Sequence, residues 1–177
     1  AVSDRAEKID GMTWTPAEQY TVKLEGVELA GYRAITICGT RDPVLIGQID
    51  SYLDTHRTKV AAKAESFGVA PGTYRMIVHA YGKNGVMGPW EPKQDSAAYE
   101  LGFVVEVVAD TQEIADAVLA MARTSLLHAD FPGRLCKEGN MAFPFSPSDI
   151  AMGAMYRFSV FHTVAVQDPC AMFPIEH

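Results

Sequence analysis

Cysteine is scarce in this chain of 177 residues: Cys38, Cys136 and Cys170 are odd in number, far apart and without a C-x-x-C pair. That excludes a disulfide framework and a zinc knuckle and points to a reducing compartment, the cytoplasm by default. No run of Lys or Arg interrupts a composition of 15 Lys+Arg against 22 Asp+Glu, so the net charge of -7 works against nucleic acid as a partner. No apolar stretch approaches the roughly 20 residues of a membrane span; Leu101 to Ala109, among the longest, carries Glu106. Residues 1–10 mix charges evenly and lack the apolar centre of an export signal. The G-x-S-x-G elbow, the Walker loop and a strand-linked G-x-G-x-x-G are missing, so no motif names a cofactor. His79, His128 and His162 have no i,i+4 or H-x-H spacing, and no metal site is predicted.

Present instead is a hydrophobic fraction of 48%, ample for one compact core. Residues 1–19, polar and broken by Gly11 and Pro16, read as an arm; residues 20–177 read as a single α+β domain. Tyr20 to Glu25 alternates as a half-buried strand should, and Gly31 to Cys38 follows as a second strand after a turn at Gly26, suggesting a hairpin. Asp42-Pro43 is an N-cap followed by the first helical position, and Leu45, Ile46, Ile49, Leu53 and Val60 then recur at helical spacing until Gly68. Thr73 to Tyr81 and the Val-rich Tyr99 to Ala109 predict two paired strands. Asp110 with Glu113 has capping-box spacing ahead of the stripe Ile114, Val118, Ala122 and Leu126, which predicts a second helix ending near His128. Tyr156 to Val166 predicts the last strand.

This order predicts a ferredoxin-like split β-α-β sandwich with an extra N-terminal strand, both helices on one face of a mainly antiparallel sheet. The strands are not cleanly polar on either side, and two helices cover only one. A second polypeptide or further copies of the chain are therefore expected on the other face, where Arg75, His79, Glu106 and Arg157 fall together if the registers hold.

Chemistry is concentrated in two irregular segments. In Tyr81-Gly-Lys-Asn-Gly-Val-Met-Gly-Pro-Trp-Glu91, the N–H groups near Gly82 and Gly85 can approach an anion, Lys83 adds charge and Glu91 can move a proton; the simpler account is a tight bend at Asn84-Gly85. In the run from His128 to Asp149, Arg134 can hold a carboxylate, His128 can act as acid or base and Asn140 can donate to an oxyanion. The competing account makes Asn140 a turn residue and His128 a helix-end cation. Arg41, beside the helix start at Asp42, is a further anion-binding candidate or a solvated side chain. Cys136, between Arg134 and Lys137, has neighbours that favour a thiolate but no placed partner.

Tyr20 to Gly26, Gly31-Tyr-Arg, Arg41-Asp-Pro, Tyr81 to Gly88, Ala109-Asp-Thr-Gln, Leu127-His and Gly139-Asn-Met-Ala-Phe-Pro-Phe-Ser-Pro-Ser-Asp149 together resemble the C-terminal part of the acyclic terpene utilisation (AtuA-like) family, over about 150 residues. The resemblance implies longer family members in pathways that degrade branched acyl-CoA or carboxylic acids. Two functions are then in view. One is an enzyme subunit acting on a small organic acid or acyl-CoA thioester by lyase, hydratase or isomerase chemistry. It uses Arg41, Lys83 and Arg134 for the anion, Glu91 or His128 for the proton, and Asn140 with the loop N–H groups for the enolate. The other is a non-catalytic structural or regulatory subunit that packs on a larger catalytic partner.

Overall fold

The structure is a computed structural model that describes residues 2–93, 95 and 98–174. Four strands and three helices follow in the order β1 (Thr21–Thr40), α1 (Pro43–Ile46), α2 (Ile49–Ser66), β2 (Tyr74–Tyr81), β3 (Leu101–Ala109), α3 (Gln112–His128) and β4 (Asp149–Ala165). The sheet order is β2-β3-β1-β4, and β3 runs antiparallel to both β1 and β2. Each β-α-β unit thus leaves a gap that a strand of the other fills, which is the expected α+β, ferredoxin-like arrangement.

Three local expectations are corrected. Residues 20–38 form no hairpin: β1 is one strand of 20 residues. Gly26 lies within it, and a Cβ there would sit 3.2 Å from the Val160 Cβ, so the missing side chain serves close strand approach instead of a turn. The helix begun at Asp42, whose carboxylate accepts from the Val44 and Leu45 N–H groups, breaks after one turn. Gln48 leaves helical geometry and its amide donates to the Val44 and Pro132 carbonyls before α2 resumes. The second helix is capped by Thr111, not Asp110: the Thr111 hydroxyl accepts from the Ile114 N–H. Glu113 is held below the usual carboxylate range by its own backbone N–H and then by Thr111.

The chain divides into two compact units, residues 29–157 and residues 1–28 with 158–177. These boundaries fall inside β1 and β4 instead of at residue 19.

In the larger unit, alternate residues of the strands face the helices. Ala34, Thr36 and Cys38 of β1 and Leu101, Phe103, Val105 and Val107 of β3 are buried against Leu45, Leu53, Val60, Val118, Leu119 and Leu126. Burial pushes the Cys38 thiol up to about 12, so it stays a protonated core residue. Thr36 donates to the Ser148 carbonyl at 2.8 Å, and Arg123 pairs with Asp149 at 2.8 Å, which fixes the start of β4. The opposite face follows from the register: Ile35 lies opposite Glu106, Glu106 opposite Ile77, and Val104 between Ile37 and His79. These residues are half-buried and lie on the side away from the stripe that packs with the helices. Arg33 and Arg75 flank Val108 on the same face, and the Arg33 Nε is 3.3 Å from the Glu106 carboxylate, an ion pair without hydrogen-bond alignment.

In the smaller unit, residues 21–28 run beside 158–165 as a two-stranded ribbon, with the Val166 N–H donating to the Tyr20 carbonyl. None of its described residues is buried. Among the described residues no helix is long and apolar enough to cross a membrane.

Candidate functional site

A cleft of about 620 Å³ opens at the end of β1. Its base is made where Gly39 exchanges two backbone hydrogen bonds with Ala142, 2.9 and 2.8 Å, which lays the segment after Gly139 alongside the strand. Phe131 and Met141 form apolar walls, and Thr40, Arg41, Glu100 and Cys136 supply polar ones.

Two side chains hold the irregular segment in place. The Asn140 amide donates to the Tyr52 hydroxyl at 2.9 Å, the Ala129 carbonyl at 2.8 Å and, more weakly, the Leu126 carbonyl at 3.4 Å. Tyr52 in turn donates to the Leu126 carbonyl at 2.6 Å, and burial raises its phenol pKa. The Arg134 guanidinium donates to the carbonyls of Cys136 (2.9 Å), His128 (3.0 Å) and Lys137 (3.1 Å), with Asp130 at 3.8 Å. The loop is thereby wound around one cation. Gly139 allows the turn, since a Cβ there would meet the Leu127 Cδ1 at 2.5 Å.

Arg41 differs from Arg134. Its guanidinium carbon stacks 3.8 Å from the centre of the Tyr99 ring, an arrangement that uses the face of the guanidinium and not its in-plane donors. Beside it, Asp42 is taken up by the helix cap.

The residues singled out in the sequence are therefore not one cluster. Arg41, Arg134 and Asn140 meet at this cleft. Lys83 pairs with Asp50 at 2.6 Å, and Gly85 lines a separate groove of about 630 Å³ along the outer edge of β2. The N–H groups of Lys83, Asn84 and Gly85 all point at the Ala80 carbonyl, at 3.2, 3.1 and 2.8 Å. They close the tight bend and are not arranged for an anion. Gly82 serves the same turn with φ +92°, where a Cβ would meet the Glu100 carbonyl at 2.7 Å. The Glu91 carboxylate accepts from the Lys93 N–H, a local turn contact, and lines neither cavity. His128 is exposed at the last position of α3 and also lines neither.

Sequence reasoning missed Tyr52 and Tyr99. Tyr52 lies on the inward stripe of α2 and was discoverable there; nothing in the sequence links Tyr99 to Arg41, 58 positions away. Among the described residues no three His, Cys, Asp or Glu side chains are grouped to hold a metal. No protein-family model, curated protein or solved structure matches the chain.

Proposed function

We propose that the chain is a non-catalytic assembly subunit of the cytoplasm that packs on a larger partner or on further copies of itself. One observation carries this reading: the ribbon unit has no buried described residue, yet Trp14 is 84%, Phe158 65% and Phe161 69% exposed. A two-stranded ribbon is marginal in water by itself, and exposed aromatic clusters on such a ribbon are the composition of an interface core. The uncovered sheet face of the larger unit, with Ile35, Ile37, Ile77 and Val104, argues the same way. Light scattering on the full chain at sub-micromolar concentration tests it. A mass above the 19.3 kDa of one chain is expected, for the purified chain or for the native complex that contains it, and a monodisperse monomer in both overturns the reading.

The convergence of Arg41, Arg134 and Asn140 favours a second reading, an enzyme subunit for a small organic acid or acyl-CoA thioester in the manner of the AtuA-like resemblance. Arg41 then binds the acid, while Arg134 and Asn140 act as positioning residues because their donors already hold the loop. Proton transfer falls to Glu100 or to a partner's group, since Glu91 and His128 line no cavity. A thermal-shift panel of acyl-CoAs and dicarboxylates tests it: stabilisation abolished by Arg41→Gln is expected, and no shift from any of them overturns it.

A further inference from the structure

The ribbon unit and the open sheet face differ in charge. Residues 1–28 and 158–177 hold eight Asp/Glu against three Lys/Arg, so they account for most of the net charge of -7. The open sheet face of the larger unit reverses this. Arg33 and Arg75 lie on it with His79, Arg157 and Asp110 sit at its margin beside Arg75 and Val108, and Glu106 is its only described acid on β1, β2 and β3. The ribbon has an apolar side of its own. Gly26 against Val160, and Tyr20 bonded to Val166, set a register that puts Val22, Leu24, Phe158, Val160 and Val164 on one face, with Glu28 and His162 as the polar residues among them. The other face carries the Lys23–Glu25 ion pair, with the Lys23 ammonium 4.8 Å over the Phe161 ring.

We propose that two copies of this chain form a dimer in which the apolar ribbon face of each lies on the open sheet face of the other. The proposal rests on the assembly reading above and names its partner. A second copy is favoured over a different protein because this one sequence carries both halves of the contact: an acidic, aromatic ribbon unit and a basic, aliphatic sheet face. Its size is adequate. A ribbon of eight residues per strand is roughly 26 Å long and two strands wide, and two such contacts related by a two-fold axis remove on the order of 1,000–1,500 Å² from water, which is a standard interface. Reciprocal exchange closes the assembly and leaves neither surface bare. Electrostatic attraction between the halves adds a dependence on ionic strength.

The test uses the full chain, mixed from unlabelled and 15N-labelled protein, with Phe158→p-benzoylphenylalanine as a photo-crosslinker. Expected are a mass of two chains by light scattering and hybrid-isotope crosslinks from position 158 to peptides containing residues 33–37, 75–79 or 104–108. Arg75→Glu, at an exposed position, is expected to raise the dimer dissociation constant about tenfold at low salt, with Arg75→Lys close to the parent and circular dichroism unchanged in both. A dimer whose crosslinks join ribbon to ribbon, or a complex only with a different polypeptide, overturns this proposal and leaves the assembly reading standing. A monomer throughout overturns both.

Discussion

Residues 29–157 and the ribbon unit contain the same kinds of side chain and put them to opposite use. In the larger unit every second residue of β3 is buried, and Phe103, Leu119 and Leu126 are fully buried in the core that the sheet and its helices share. In the ribbon the same alternation runs through Leu24, Phe158 and Val160, but that unit has no α-helix among its described residues and all three stay exposed. The difference shows that alternation specifies a face, and that burial depends on a second layer the local sequence need not contain.

The sharpest way to break the comparison is to truncate one aromatic in each region. Phe103→Ala is expected to lower unfolding stability by about 3–5 kcal/mol, through lost transfer energy and the cavity left in a packed core. Phe158→Ala, measured at high dilution, is expected to change it by less than about 0.5 kcal/mol while weakening self-association. Urea denaturation checks the first and light scattering the second. Equal losses of stability would mean that the ribbon already has a core of its own.

How much of this was legible in the sequence follows the same division. The stripes of α2 and α3, the Asp42 cap and the β2–β3 pairing are local patterns whose periods differ, and each was readable. The single strand β1 was not, because Gly26 reads as a turn until Val160 is placed opposite it, more than 130 residues away. At the cleft, Arg134 and Asn140 were legible as chemically able residues, but not as clamps. Their partners are backbone carbonyls, which a sequence does not display. Arg41 gains its partner Tyr99 only through tertiary folding.

Acid provides a second contrast, confined to the larger unit. His56 is 1% exposed, with its Nδ1 3.1 Å from the Ser125 hydroxyl and its Nε2 without a partner among the described residues. Burial, then Arg57 and Lys59, pushes it from 6.5 down to about 4. Between those values the unfolded chain binds a proton that the folded chain refuses, so stability falls as pH falls through that window. The loss is roughly 3 kcal/mol by pH 4. His56→Phe is expected to flatten that part of the urea-midpoint profile, and an unchanged slope would assign the acid sensitivity to other groups.

Within the larger unit the irregular segment after α3 is ordered by polar clamps as well as by the burial of Phe131 and Met141. Asn140→Ala removes three donor contacts, the 2.8 Å bond to the Ala129 carbonyl among them. A loss of about 2 kcal/mol is expected, with faster hydrogen exchange in residues 129–142 and little change in β3. Uniform exchange across the unit would show that the clamp is no more local than the core.

The smallest effect separates two cations that a sequence reader treats alike. Lys83 meets Asp50 at 2.6 Å, but the Asp50 carboxylate is 72% exposed, so solvent screens the pair. Arg134 is 10% exposed at its side chain and holds three carbonyls. Lys83→Met is therefore expected to cost less than about 1 kcal/mol, and that little only at low salt. The bend beside it persists, because the Ala80 carbonyl is held by backbone N–H groups that the substitution does not touch. Denaturation at 20 mM and 500 mM salt distinguishes the cases. A large salt-independent loss would mean that the Lys83 stem, not its charge, holds the loop against α2, and the turn's stability would then belong with the core.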